Sequence, residues 1–131
     1  MLSRGGDHGN EFPNGSCKGQ AVKERSRGRS YCGWVSSVHK RVYIMPGAFL
    51  PRVNFTDVRL RNAILTGAYL KGVVLRGADW RDANLYRADL SSANLLYADL
   101  RGADLTGVIA NSRTRCPNGI NWGTSGNDCP F

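Results

Sequence analysis

The sequence predicts an all-β solenoid, and three observations carry that prediction. Residues 48–107 divide without insertion into twelve pentads, AFLPR VNFTD VRLRN AILTG AYLKG VVLRG ADWRD ANLYR ADLSS ANLLY ADLRG ADLTG, each opening on Ala or Val and centred on Leu except at Phe55 and Trp80. A period of five suits neither standard element. A helix turns about 100° per residue, so successive central residues would fall about 140° apart around it. A flat strand alternates faces with period two, so an odd repeat would carry each unit from core to solvent. Corner-forming residues recur in phase: Asn or Asp precedes the central residue at 54, 79, 84, 89, 94, 99 and 104, and Gly closes the pentads at 67, 72, 77, 102 and 107. A chain that turns a corner every five residues resets its inward direction each time and winds as a coil with Ala/Val and Leu inside.

The elements follow in order. Residues 1–47 hold eight basic residues (Arg4, Lys18, Lys23, Arg25, Arg27, Arg29, Lys40 and Arg41) against Asp7, Glu11 and Glu24, with many Gly and Ser. Positions 1–35 of this stretch read as a flexible basic arm in which Lys23, Arg25, Arg27 and Arg29 suit contacts with phosphates or anionic lipid head groups. Residues 36–47 are expected to form an N-terminal cap. Val35, Val38 and Val42 stand at helix-like spacing between Trp34 and Tyr43, which predicts a short helix or strand over the first coil, because an open coil end leaves backbone and apolar side chains unpaired. The solenoid of 48–107 has as its predicted core Leu50, Phe55, Leu60, Leu65, Leu70, Leu75, Trp80, Leu85, Leu90, Leu95, Leu100 and Leu105. An extension from Val108 to residue 112 stays open. Residues 113–131, rich in Gly and Asn, read as a C-terminal cap loop in which Trp122 and Phe131 cover the last leucines.

The pentads ADLSS, ANLLY, ADLRG and ADLTG resemble the A(D/N)LXX unit of pentapeptide-repeat proteins, and the resemblance covers 60 of 131 residues. It implies a right-handed quadrilateral β-helix in which four pentapeptides form one square coil. Twelve pentads then give three coils, a column about 14 Å tall at about 4.8 Å per strand layer. A motif defined by packing specifies fold and says little of function. The tail is similar to the CPDGTN-type segments that follow the repeats in some members, with Asn118 in place of Asp and Ile120 in place of Thr.

The four cysteines, Cys17, Cys32, Cys116 and Cys129, form no CxxC pair, and the only histidines are His8 and His39, so spacing suggests no zinc site. Cys116 and Cys129 flank twelve residues. A disulfide over such a span contributes on the order of 3 kcal/mol. Bridged and free forms of this pair stay open, while Cys17 and Cys32 are expected to be unpaired. A bridge implies an oxidising compartment. Against it, the lack of a signal-peptide core and of an apolar run of about 18 residues points to a soluble chain with a cytoplasmic default.

The chain carries 18 Lys plus Arg, 10 Asp plus Glu and 41% hydrophobic residues, within the range of one globular domain. It holds no GxxxxGK[ST], GxSxG or HExxH motif, and its recurrent aspartates are explained as turn formers. No enzyme activity, cofactor or small-molecule substrate is expected. In a four-sided coil residues twenty apart stack, which places Arg61, Arg81 and Arg101 in a column at about 4.8 Å spacing, with Asp79, Asp82 and Asp99 on the same face. A mixed-charge face of Arg–Asp pairs is the first reading, and an anion- or partner-binding strip the second. Phe49 above Tyr69, and Leu96 and Tyr97 with Tyr86 around the corner, form either an apolar contact surface or ordinary cross-strand packing.

The leading functional expectation is a non-enzymatic scaffold for an unidentified protein partner. The alternative is an anion-binding module for nucleic acid or an anionic membrane surface, acting through the arm and the arginine column, with steep salt dependence. The resemblance also implies a third role, binding of DNA gyrase by an acidic mimic of duplex DNA. Residues 48–107 contain eight basic and six acidic residues, net +2, which disfavours that role.

Overall fold

Small residues and leucines at the first and third positions of each pentad set the path of the chain. In the computed structural model, which describes residues 32–123 and 129, isolated parallel bridges join residues in four columns: 49–69–89–109, 54–74–94–115, 59–79–99 and 64–84–104. Each pentad contributes its second residue, and four pentads complete a coil. Backbone bonds on either side extend the ladder. The Leu50 N–H donates to the Tyr69 carbonyl at 2.9 Å and the Tyr69 N–H to the Ala48 carbonyl at 2.8 Å, a pattern repeated down the other columns. The result is a β-solenoid.

The corners explain the remaining positions. Every fifth residue from 52 to 107 has positive φ, between 58° and 76°. From Phe55–Val58 to Leu105–Val108, the carbonyl of the third residue accepts the N–H opening the next pentad at 2.8–3.2 Å. A four-residue turn closed in this way, with only its third residue left-handed, is a type II turn. Glycine takes that conformation freely at five corners, whereas an L-residue there costs about 1–2 kcal/mol. All seven Asn and Asp at second positions accept, through Oδ1, the N–H two residues on, at 2.9–3.2 Å. Pro51 stands where that N–H would be and has none to satisfy.

The interior is continuous. Eleven of the twelve predicted central residues are buried, while Leu105, in the last pentad, is only partly buried against the core. Trp80 stands between Leu60 and Leu100 in a leucine position and meets the Phe55 ring edge-on at 5.9 Å. Its Nε1 has no hydrogen-bond partner among the described residues.

At one end, β1 (Gly33–Ser36) and β2 (Arg41–Ile44) pair antiparallel with Val35 opposite Val42. The element is a hairpin rather than a helix. Val35, Val42 and Ile44 enter the core, and Val38, at the turn, is 50% exposed. The Val38 N–H donates to the Asn54 carbonyl at 2.8 Å, docking the turn on the first coil. The expectation that Cys32 is unpaired is corrected: it is disulfide-bonded. It lies beside β1, packed against Ile64 with Tyr43 and Met45 at hand. Cys17 lies outside the described residues.

At the other end the register changes. From Asn94 to Arg115 the bridge spacing is 21 rather than 20 residues. Thr114, fully buried, takes the inward position of an Ala, and its Oγ1 donates to the Leu90 carbonyl at 2.8 Å. Cys116, also fully buried, continues the column of Phe55, Leu75 and Leu95 and is bridged to Cys129, with Cα atoms 5.2 Å apart. Arg115 pairs antiparallel with Asn121, and the Trp122 N–H donates to the Thr114 carbonyl at 2.8 Å, folding the chain back over the last coil. Phe131 lies outside the described residues.

Candidate functional site

With the first and third positions turned inward, chemistry falls to the second, fourth and fifth. Arg61, Arg81 and Arg101 occupy fourth positions one coil apart. Each of the lower two forks back onto the acid two residues before it. Arg81 donates from Nε and Nη2 to Asp79 at 2.9 and 2.8 Å, and Arg101 does the same to Asp99 at 2.9 and 2.7 Å. Arg81 Nε also lies 3.8 Å from Asp99 Oδ2, and Arg61 Nε 3.6 Å from Asp82 Oδ2.

Such forks favour the charged forms of both partners. The hydrogen bond from Arg81 is the main cause holding the Asp79 carboxyl below its ordinary range, and Arg101 lowers Asp99 to about 2. The same bonds raise Arg81 and Arg101 further into their charged range. The column is therefore a series of paired charges. These groups are partly exposed, so the pairs contribute little stability.

Lys23, Arg25, Arg27 and Arg29 lie outside the described residues. Among the described residues there is no cluster of three His, Cys, Asp or Glu suited to a metal.

Two aromatic surfaces differ in character. Phe49 and Tyr69 stack face to face, centroids 5.1 Å apart at 4°, with Phe49 74% exposed. Tyr86 and Tyr97 instead carry guanidinium groups over their rings, Arg87 at 5.3 Å and Arg76 at 5.6 Å. That second surface adds cation–π contacts to the tyrosine rings, with Tyr97 67% exposed.

Sequence reasoning missed one constellation. Arg52, Lys71 and Arg113 converge on a groove of about 290 Å³ beside the Phe49–Tyr69 stack, together with Ser92 and Gly72. They are 19 and 42 residues apart, and Arg113 falls outside the strict repeat. The one available signal was that Arg52 and Lys71 occupy stacked corners.

The family model of pentapeptide repeats matches in eight copies, over residues 44–72 and 68–107. No curated protein matches the sequence. Among solved structures, the chain is similar to a pentapeptide repeat protein from the thylakoid lumen of Arabidopsis thaliana, with 25% identity over 75% of this chain and 55% of that one and a TM-score of 0.29. It thus spans about half the length of that protein. It is also similar to a pentapeptide repeat protein from Nostoc PCC 7120, with 28% identity over 53% of this chain and 70% of that one, TM-score 0.26. A second Nostoc protein, a pentapeptide repeat protein involved in heterocyst differentiation regulation, shares 33% identity over 56% of this chain and 42% of that one, TM-score 0.22. The repeats, their phase and the family match lead to one assignment: residues 44–107 of this chain are pentapeptide repeats.

Proposed function

We propose that this protein is a non-enzymatic scaffold for protein–protein interaction, a right-handed quadrilateral β-helix of about three coils whose outer faces dock a protein partner. In this reading residues 1–35 are an arm that adds electrostatic attraction, 36–47 and 113–131 are caps, and 48–107 carry the displayed surface. The observation that supports it is the Phe49–Tyr69 stack, in which Phe49 is 74% exposed while held by a hydrogen-bonded ladder. Rigid aromatic rings at the surface favour contact because little side-chain freedom is lost on binding. The net charge of +2 over 48–107 weighs against a gyrase-binding DNA mimic, and the Arg–Asp forks weigh against the arginine column as an open anion-binding strip.

The compartment belongs to the same proposal. The Cys116–Cys129 bridge and the bonded state of Cys32 favour an oxidising one, and among the described residues no helix is long and apolar enough to cross a membrane.

The test is crosslinking capture of partners by the full chain and by the F49S/Y69S double variant. The expected result is loss of the captured protein with little change in melting. Capture that survives the double substitution, or that vanishes between 50 and 200 mM salt, would count against this face.

A further inference from the structure

One corner of the solenoid leaves the regular register, and the cationic groove lies there. The corner runs between the columns 49–69–89–109 and 54–74–94–115, and only in its last layer does the chain use an additional residue. In the layers above, each corner N–H meets a backbone carbonyl of the next coil: Arg52 donates to Lys71 and Gly72 to Ser91, both at 2.8 Å. In the last layer the Ser92 N–H meets the Asn111 side chain instead, at 3.0 Å. The same Oδ1 receives the Arg113 N–H at 3.0 Å, and Asn111 Nδ2 donates to Ser92 Oγ at 3.3 Å. Asn111 thereby fixes the segment that carries Arg113 beside Ser92. On the layer above, a Cβ at Gly72 would lie 3.2 Å from Arg52 Cγ, so the Arg52 side chain lies across the glycine.

The outcome is a groove of about 290 Å³ lined by Arg52, Lys71 and Arg113, with Ser92, Gly72 and Tyr69 completing it. No acid lines it. Among the described residues these three cations take part in none of the ion pairs, whereas the arginine column is matched by Asp79, Asp82 and Asp99. The acid of the adjoining column, Asp89, directs its Oδ1 to the Ser91 N–H at 2.9 Å. Three like charges around one small groove repel one another, and a dianion seated between them turns that repulsion into attraction. Arginine forks suit the tetrahedral oxygens of phosphate, lysine supplies a point charge, and the Ser92 hydroxyl is a further donor. The volume lies at the lower limit of ligand pockets, which suits a phosphate head with a few further atoms against the Tyr69 ring.

We propose that this groove is a binding site for a phosphate monoester. The site goes beyond the scaffold reading and does not depend on it, since its charged residues are different and so is its ligand, although Tyr69 borders both surfaces.

Calorimetry on the full chain at 50 mM salt tests it with three probes: inorganic phosphate, phenyl phosphate and succinate. The variants are Arg52→Gln, Lys71→Gln and Arg113→Gln, all at exposed positions, with Arg61→Gln as the control in the paired column. Both phosphates are expected to bind saturably at one site, phenyl phosphate the tighter. Each groove variant should weaken binding about tenfold or more, the size of one charge-assisted contact, with Arg61→Gln unchanged. Three results overturn the proposal: no saturable binding to the wild type, binding that survives the groove substitutions, or succinate bound as tightly as phosphate. Partner capture that survives F49S/Y69S, with phosphate binding to the wild type intact, would sink the scaffold reading alone.

Discussion

Asn111 Oδ1 accepts the N–H groups of Ser92 and Arg113, each at 3.0 Å, so one side chain joins two coils across the change of register. Thr114 completes the repair, donating through Oγ1 to the Leu90 carbonyl and accepting the Asn111 N–H at 3.2 Å. An added residue would ordinarily leave backbone donors unmet, and partly buried donors without partners are costly.

Asn111→Ala is accordingly expected to lower stability by about 1–3 kcal/mol, and Asn111→Asp, which retains the acceptor, by less. Urea denaturation measures both. Equal losses would mean that the Oδ1 bonds are not what holds this corner.

Two glycines with similar backbone should differ in sensitivity. Gly67 has φ 67° and open space where a Cβ would stand, so Gly67→Ala meets only the backbone penalty, about 1 kcal/mol. Gly102 has φ 76°, and its Cβ would collide with the Asp82 carboxylate, the partner of Arg61. Gly102→Ala should lose somewhat more, because the half-exposed Asp82 side chain must swing away and leave Arg61. Thermal melts of the two variants compare them directly.

Acid should dissolve the Arg101–Asp99 fork. Asp99 is lowered in the folded protein from 3.8 to about 2, principally by its hydrogen bonds with Arg101. Its contribution is complete above the unfolded value and is lost as pH falls from about 4 towards 2. Asp99→Asn retains a turn acceptor, as at Asn84 and Asn94, and removes only the charge. The variant should match the wild type near pH 2 and fall slightly below it at pH 5 and above, as followed by denaturation across that range.

Removing the C-terminal bridge as Cys116→Ala with Cys129→Ala should lower stability by about 3 kcal/mol, the loop entropy released to the unfolded chain. The double variant isolates this bridge, whereas a reductant also reaches the bond at Cys32. Melting with and without reductant, on both proteins, separates the two contributions.

Much of the fold was legible because one physical rule repeats. The leucine phase identifies the interior, and the seven Asn and Asp announce the bonds their Oδ1 atoms make. Left-handed Arg87 and Tyr97 were not legible, since nothing in those side chains favours φ near 60° and the ladder imposes it. Leu105 was assigned the same environment as Leu85, although a cap rather than another full coil follows it, leaving it partly buried. Cys32 gave no spacing signal because its setting against Ile64 is tertiary. The groove was hidden for a similar reason, since Arg113 joins Arg52 and Lys71 only through a one-residue shift and the side chain of Asn111.

Cys116, seated in the leucine column and tied to Cys129, also governs how the molecule yields to tension. A solenoid under load peels layer by layer, because each coil touches only its neighbours. Each coil of twenty residues would pay out about 66–72 Å of chain. The cap past the last coil departs from that stride, since residues 117–128, closed by the disulfide, cannot be drawn out to their full length while the bond holds. The protein is thus a spring with a stop past its last winding, and breaking the bond lengthens the release of the cap without altering that of the coils.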